Sequence, residues 1–148
     1  MLTAETNVYE SATPMDEWTV LQEAPQELQQ SGFYGAAYQN VDTGEIVIAY
    51  RGTEPWSDLY KDLLTTDGKI AWGAEDQQFV DALEFANQID NQYGGDPDIE
   101  ISVTGHSLGG GLAQLAADTY GWGGVSFDAP GVQEITEGGS FSQVQNFF

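Results

Sequence analysis

The chain has 148 residues, 41% of them hydrophobic and 12% aromatic, and no cysteine. That is the size and composition of one ordinary domain with a real core, and it excludes a disordered chain, disulfides, thiol catalysis and thiolate metal sites. Against 24 acidic residues stand three basic ones, Arg51, Lys61 and Lys69, for a formal net charge of -21; this speaks against nucleic-acid binding and against attraction to an anionic membrane surface.

The acidity itself is read as solubility in a salty or calcium-containing medium, in preference to a specific calcium site. Salt screens self-repulsion, so the melting temperature is expected to rise with ionic strength; equal values in low and high salt would refute this. Met1 to Tyr9 has neither the basic region nor the apolar run of a signal peptide. Secretion is still the favoured location, with any export signal lying elsewhere. No stretch reaches the roughly 18 apolar residues of a membrane span.

In chain order, residues 1–31 are polar and acidic, with Trp18, Val20 and Leu21 as apolar points and Pro14 and Pro25 as breaks. They are read as a short helix or two followed by a loop. Phe33 to Gln39 reads as a strand, Asn40 to Glu45 as a turn and Ile46 to Arg51 as a second strand, together a hairpin. The nearly continuous apolar run of the second strand predicts burial on both faces. Gly52 to Gly73 is irregular, with a short helix over Asp58 to Leu64. From Glu75, Phe79, Val80, Leu83, Phe85, Ala86 and Ile89 recur at helical spacing. Gly94-Gly95-Asp96-Pro97 ends that helix. This stretch faintly resembles a calcium-binding repeat but occurs once, and a loop is the better reading.

Ile99 to Thr104 alternates as a strand, Gly105 to Gly109 turns, and an alanine- and leucine-rich helix runs to Tyr120. Val125 to Phe127 is a short strand, and Val144 to Phe148 begins another. Helices alternating with the later strands predict an α/β fold with a mixed sheet flanked by helices. Residues 1–148 are read as a single domain, with 1–31 a weaker N-terminal helical segment and 32–148 the core.

Gly105-His106-Ser107-Leu108-Gly109 fits the G-x-S-x-G pattern. Alone it is a weak signal, but a strand before it and a helix after it form the setting a nucleophile elbow requires. The glycines leave room for a tight, strained turn that holds the Ser107 hydroxyl outward. Amides of the first helical turn, that of Leu108 included, point to where negative charge develops. The alternative is a glycine-rich turn with Ser107 as an ordinary helix N-cap.

Tyr50-Arg51-Gly52-Thr53, the Gly105-His106-Ser107-Leu108-Gly109-Gly110 elbow and Val125-Ser126-Phe127-Asp128-Ala129-Pro130-Gly131 together resemble the class 3 (fungal-type) lipases and their bacterial phospholipase-like relatives. The resemblance covers residues 33–148. It implies an α/β-hydrolase fold and ester hydrolysis, with Ser107 as nucleophile, Thr53 and Leu108 as oxyanion-hole donors and Arg51 as a structural arginine. His106, the sole histidine, precedes the nucleophile. A packing or hydrogen-bonding role is preferred for it over that of general base. Asp128 does not match the acid position and is kept as an accessory carboxylate. Glu54, Asp58 and Asp62 are read as solvated lid or loop residues.

A serine hydrolase needs a base and an orienting acid, which follow the serine in this fold. No histidine follows Ser107. Two readings stand: a portion of a longer enzyme whose acid and base lie beyond Phe148, which the strand-like ending favours, or a short member that lost the triad or completes it from another subunit. An ester or lipid is the expected substrate. No metal or organic cofactor is implied. Rival readings are a catalytically silent binding module, a domain of a larger calcium-dependent secreted protein, and a homo-oligomer formed through an open sheet edge.

Overall fold

The computed structural model describes residues 16–52, 77–129 and 144–147. Within them lie β1 (Trp18–Glu23), α1 (Gln26–Gln29), β2 (Tyr34–Asn40), β3 (Ile46–Arg51), α2 (Gln77–Tyr93), β4 (Ile101–His106), α3 (Leu108–Tyr120), β5 (Gly123–Phe127) and β6 (Val144–Phe147). The six strands form one sheet in the order β1-β2-β3-β4-β5-β6. β1, β2 and β3 pair antiparallel. β3 to β6 run parallel. The expected α/β class and mixed sheet are therefore present, and the change from antiparallel to parallel falls at β3.

Turn chemistry sets the hairpin. The Asn40 side-chain oxygen accepts from the amides of Asp42 (2.9 Å) and Thr43 (3.0 Å), and Gly44 takes the left-handed conformation at φ 76°. Asn and Gly suit these positions for those two reasons. β3 then alternates between two apolar clusters. Ile46, Ile48 and Tyr50 join Ile101, Val103 and the inner faces of α2 and α3. Val47 and Ala49 join Ala36 and Tyr38 on the opposite face. This is the two-sided burial that the continuous apolar run predicts.

α2 buries Phe79, Ala82, Phe85, Ala86 and Ile89, one stripe at helical spacing. Its buried Asp81 accepts from Ser31 (2.5 Å) and Gln77 (2.8 Å), which satisfies the carboxylate. α3 is buried from Leu108 to Ala117 and is stopped by Gly121 at φ 72°. No helix among the described residues is long and apolar enough to cross a membrane.

One expectation is corrected. The N-terminal segment is not helical over Trp18 to Leu21; it is the strand β1, followed by the single turn α1. β1 pairs with β2 from Trp18↔Asn40 to Glu23↔Ala36, with an irregularity between Val20 and Gln22. Sheet pairing with a distant partner here overrides a weak local pattern. The expected short helix at Asp58 to Leu64 lies outside the described residues.

Tyr50 is fully enclosed, and its hydroxyl meets no hydrogen-bond partner among the described residues. Burial pushes its phenol far above the ordinary tyrosine value, with Tyr120 adding to the effect. A raised folded-state pKa favours the neutral form, so its contribution is intact below about pH 10 and is lost as the unfolded chain ionises above it. Stability is expected to fall above that pH by up to about 1.4 kcal/mol per pH unit from this group. Denaturant titrations across the alkaline range check this, and Tyr50→Phe should flatten the decline.

Candidate active site

The site is built at the C-terminal ends of the parallel strands, where open α/β sheets bind ligands. β4 ends at His106 and α3 begins at Leu108, so Ser107 alone makes the turn. Its φ of 53° and ψ of -122° lie where L-residues are strained by about 1–3 kcal/mol. A capping serine would have extended dihedrals and accept an amide hydrogen of the first turn. Ser107 has neither feature: its side chain makes no cap hydrogen bond. The ordinary N-cap alternative fails on both counts.

Backbone bonds hold the turn. The Ser107 amide donates to the Phe127 carbonyl (2.8 Å), and the Gly111 amide donates to the Ser107 carbonyl (3.1 Å). The flanking glycines are dictated by contact. A Cβ on Gly105 would strike the Gly109 carbonyl, and one on Gly109 would strike the Tyr50 carbonyl and come within 2.7 Å of the Gly52 nitrogen. The first turn of α3 thus presses on the backbones of both β4 and β3. The backbone there must be held rigid, because the Ser107 conformation is maintained only by its surroundings. Ser107→Gly should relieve this strain, offset in part by the greater freedom of glycine in the unfolded chain. A net gain of about 1 kcal/mol is expected, read as a raised denaturation midpoint.

Leu108 is fully buried, with its amide in the first turn of α3. Thr53, the other expected oxyanion donor, lies outside the described residues, as do Glu54, Asp58 and Asp62. Gly52, the residue before Thr53, is buried beside Gly109. Arg51 is half-buried, with its guanidinium 4.6 Å above the ring of Tyr34, its cross-strand partner. Tyr34 in turn donates to Glu23 at 2.5 Å. Arg51 therefore sits in a cation–π contact spanning β2 and β3.

His106 and Asp128 are brought together. Nε2 of His106 lies 3.3 Å from Oδ2 of Asp128, with the side chains 44% and 60% exposed. At such exposure the pair contributes at most about 1 kcal/mol to stability. Asp128 is itself left-handed, at φ 46°. The parallel register that sets His106 beside Phe127 places Asp128 one residue past the strand and within reach. Only that register reveals the pair.

Sequence reasoning missed the residues behind this edge. Gln114 of α3 donates to Ser126 Oγ (2.9 Å), which donates to Asn146 Oδ1 (3.0 Å). Asn146 also accepts from the Ala129 amide and donates to the Ala129 carbonyl, each at 3.2 Å. A lone Asn in a four-residue strand carries no local signal of such a role. Among the described residues no cluster of His, Asp and Glu could hold a metal ion.

A strained serine between a parallel strand and a buried helix, on a mixed sheet, defines the α/β-hydrolase fold of the fungal lipases. Lipase II from Rhizopus niveus shares it with a TM-score of 0.61 and 17% identity, over 86% of this chain and 59% of that chain. A triacylglycerol lipase from Penicillium expansum does so with a TM-score of 0.58 and 15% identity, over 85% and 56%. Residues 3–142 match the Tle-like phospholipase domain, and the chain belongs to that phospholipase-like family. The extracellular phospholipase A1 of Serratia liquefaciens is 34% identical over 106 residues, 72% of this chain and 30% of that enzyme. The chain thus spans under a third of the length of that relative and a little over half of the two lipases.

Proposed function

We propose that this chain carries the serine-nucleophile part of a hydrolase acting on carboxylic esters of lipids, with Ser107 as the nucleophile. The observation that carries the reading is the conformation of Ser107, strained between β4 and α3 and with its hydroxyl unused as a cap. Oγ attacks the acyl carbonyl carbon while a base takes its proton. The oxyanion is held by the Leu108 amide and by Thr53. The alcohol departs with a proton, and water hydrolyses the acyl-enzyme. His106 directly precedes Ser107 at the end of β4, where adjacent side chains of the turn are directed apart, and it is the sole histidine, so we assign proton transfer to a base supplied from outside these 148 residues. Residues 1–148 are read as one domain. The name of the Serratia relative, an extracellular phospholipase A1, supports a phospholipid substrate and secretion.

A second reading, a silent module that keeps the fold, is favoured by the place of the sole histidine, before Ser107 and not after it. A fluorophosphonate probe separates the two when it is applied to a form of the protein that supplies the base. Stoichiometric labelling mapped to Ser107 by mass spectrometry supports the nucleophile, and an unlabelled, folded chain supports the silent module.

A further inference from the structure

Asn146 sits on β6, the strand farthest along the sheet from the hairpin. Its carboxamide bonds to both main-chain polar groups of one residue: the Ala129 amide donates to Oδ1 and the Ala129 carbonyl accepts from Nδ2. Only one orientation of the carboxamide satisfies both, since a carbonyl cannot donate and an amide N–H cannot accept. The side chain thereby imitates a strand rung. The adjacent rung is made by backbone, with the Asp128 amide donating to the Phe147 carbonyl at 2.7 Å. β6 therefore grips both residues that follow β5.

The grip matters because of what the gripped segment does. Asp128, held left-handed, meets His106, while Phe127 accepts the Ser107 amide. Two consecutive residues after and at the end of β5 thus hold the two consecutive residues of the elbow. Behind them, Ser126 and Gln114 are buried and hydrogen-bonded in one direction toward Asn146. A left-handed Asp is uncommon, and this one is bracketed by the Phe147 carbonyl on its own amide and by the Asn146 clamp on the next residue.

We propose that Asn146 is a positioning residue for the Ser107 site: it fixes the Asp128–Ala129 peptide segment so that Asp128 holds His106, and through it the elbow. This rests on the assignment of Ser107 as nucleophile for its functional meaning, while its structural content stands on the contacts alone. The choice of residue follows from the chemistry. Asp would keep the acceptor but set a second oxygen against the Ala129 carbonyl, and Ser would not reach.

His106 is the sole histidine, so an untagged, isotope-labelled chain gives one imidazole signal that reports on the Asp128 contact directly. In Asn146→Asp that signal is expected to move to the position it takes in Asp128→Asn, a change at an exposed side chain that leaves the core intact. Asn146→Ser serves the same purpose should Asn146→Asp fail to fold. Ser126→Ala, which removes the network behind Asn146 but not its clamp on Ala129, should leave the signal in place. In a form of the protein that supplies the base, the Ser107 fluorophosphonate labelling rate is expected to fall about tenfold in the Asn146 variants and less than about twofold in Ser126→Ala. The inference is overturned if the imidazole signal ignores Asn146→Asp while responding to Asp128→Asn, or ignores both. It is also overturned if Ser126→Ala moves it equally, since general loosening would then explain everything. Absence of labelling in the unaltered, base-supplying form would instead count against Ser107 as nucleophile, and the imidazole signal would still decide the role of Asn146.

Discussion

Alanine at Ser107 is expected to remove all covalent labelling by a fluorophosphonate. In any form of the protein that supplies the base, it should lower kcat for ester hydrolysis by at least ~10⁴-fold. The fold should survive, because Ser107 contributes backbone bonds and no side-chain cap. The comparison of interest is short-chain nitrophenyl ester hydrolysis by the 148-residue chain and by its Ser107→Ala variant. Near-background rates in both are expected if the base lies outside the chain. A Ser107-dependent rate in the short chain would give His106 or Asp128 the work of a base and overturn the assignment of proton transfer made above.

Gly109→Ala should be strongly damaging for a single added methyl. On an isolated helix the change would stabilise by about 1 kcal/mol. Here the added Cβ would meet the Tyr50 carbonyl and the Gly52 nitrogen. These are backbone atoms of the strand beneath, unable to swing aside as a side chain could. Overpacking of this kind costs about 1–3 kcal/mol or more. The clash outweighs the propensity gain, and α3 must lift from the sheet. A net loss of about 2 kcal/mol corresponds to a fall of roughly 4–8 °C in melting temperature for a chain of this size. The Leu108 amide would move with the helix, so the labelling rate of Ser107 should fall about 100-fold for a displacement near 1 Å. A Gly109→Ala chain with unchanged melting and labelling would mean that α3 does not press on β3 as described.

How legible this architecture is varies from element to element, for physical reasons. Ile46 to Arg51 and Asn40 to Glu45 are readable because an unbroken β-branched run and an Asn/Gly turn act locally. α2 is readable from its repeating apolar stripe, and the elbow from three glycine and serine positions that close packing forces. β1 is not, because half-exposed Trp18 and Val20 make a short alternation that only pairing with β2 turns into a strand. The His106–Asp128 pair and the Asn146 clamp are invisible for a different reason. Each joins residues from different strands, and the parallel register between β4, β5 and β6 decides which residues stand opposite. Composition and periodicity do not carry register, which is a property of the assembled sheet.

The division of the sheet at β3 also sets an order in time. On the antiparallel side Gln39 pairs with Ile46, a short closure through a tight turn. On the parallel side Ile46 waits for Ile101, and Val125 for Gln145. Loop-closure entropy delays such distant pairings. The hairpin side is then the early half of the folding reaction, and β4, β5 and β6 are the late half. The Ser107 turn takes its strand from β4 and its amide acceptor from β5, both in the late half. A chain interrupted during folding would hold its most apolar strand, β3, with one edge unpaired and no strained serine, exposed to aggregation before it could present any chemistry.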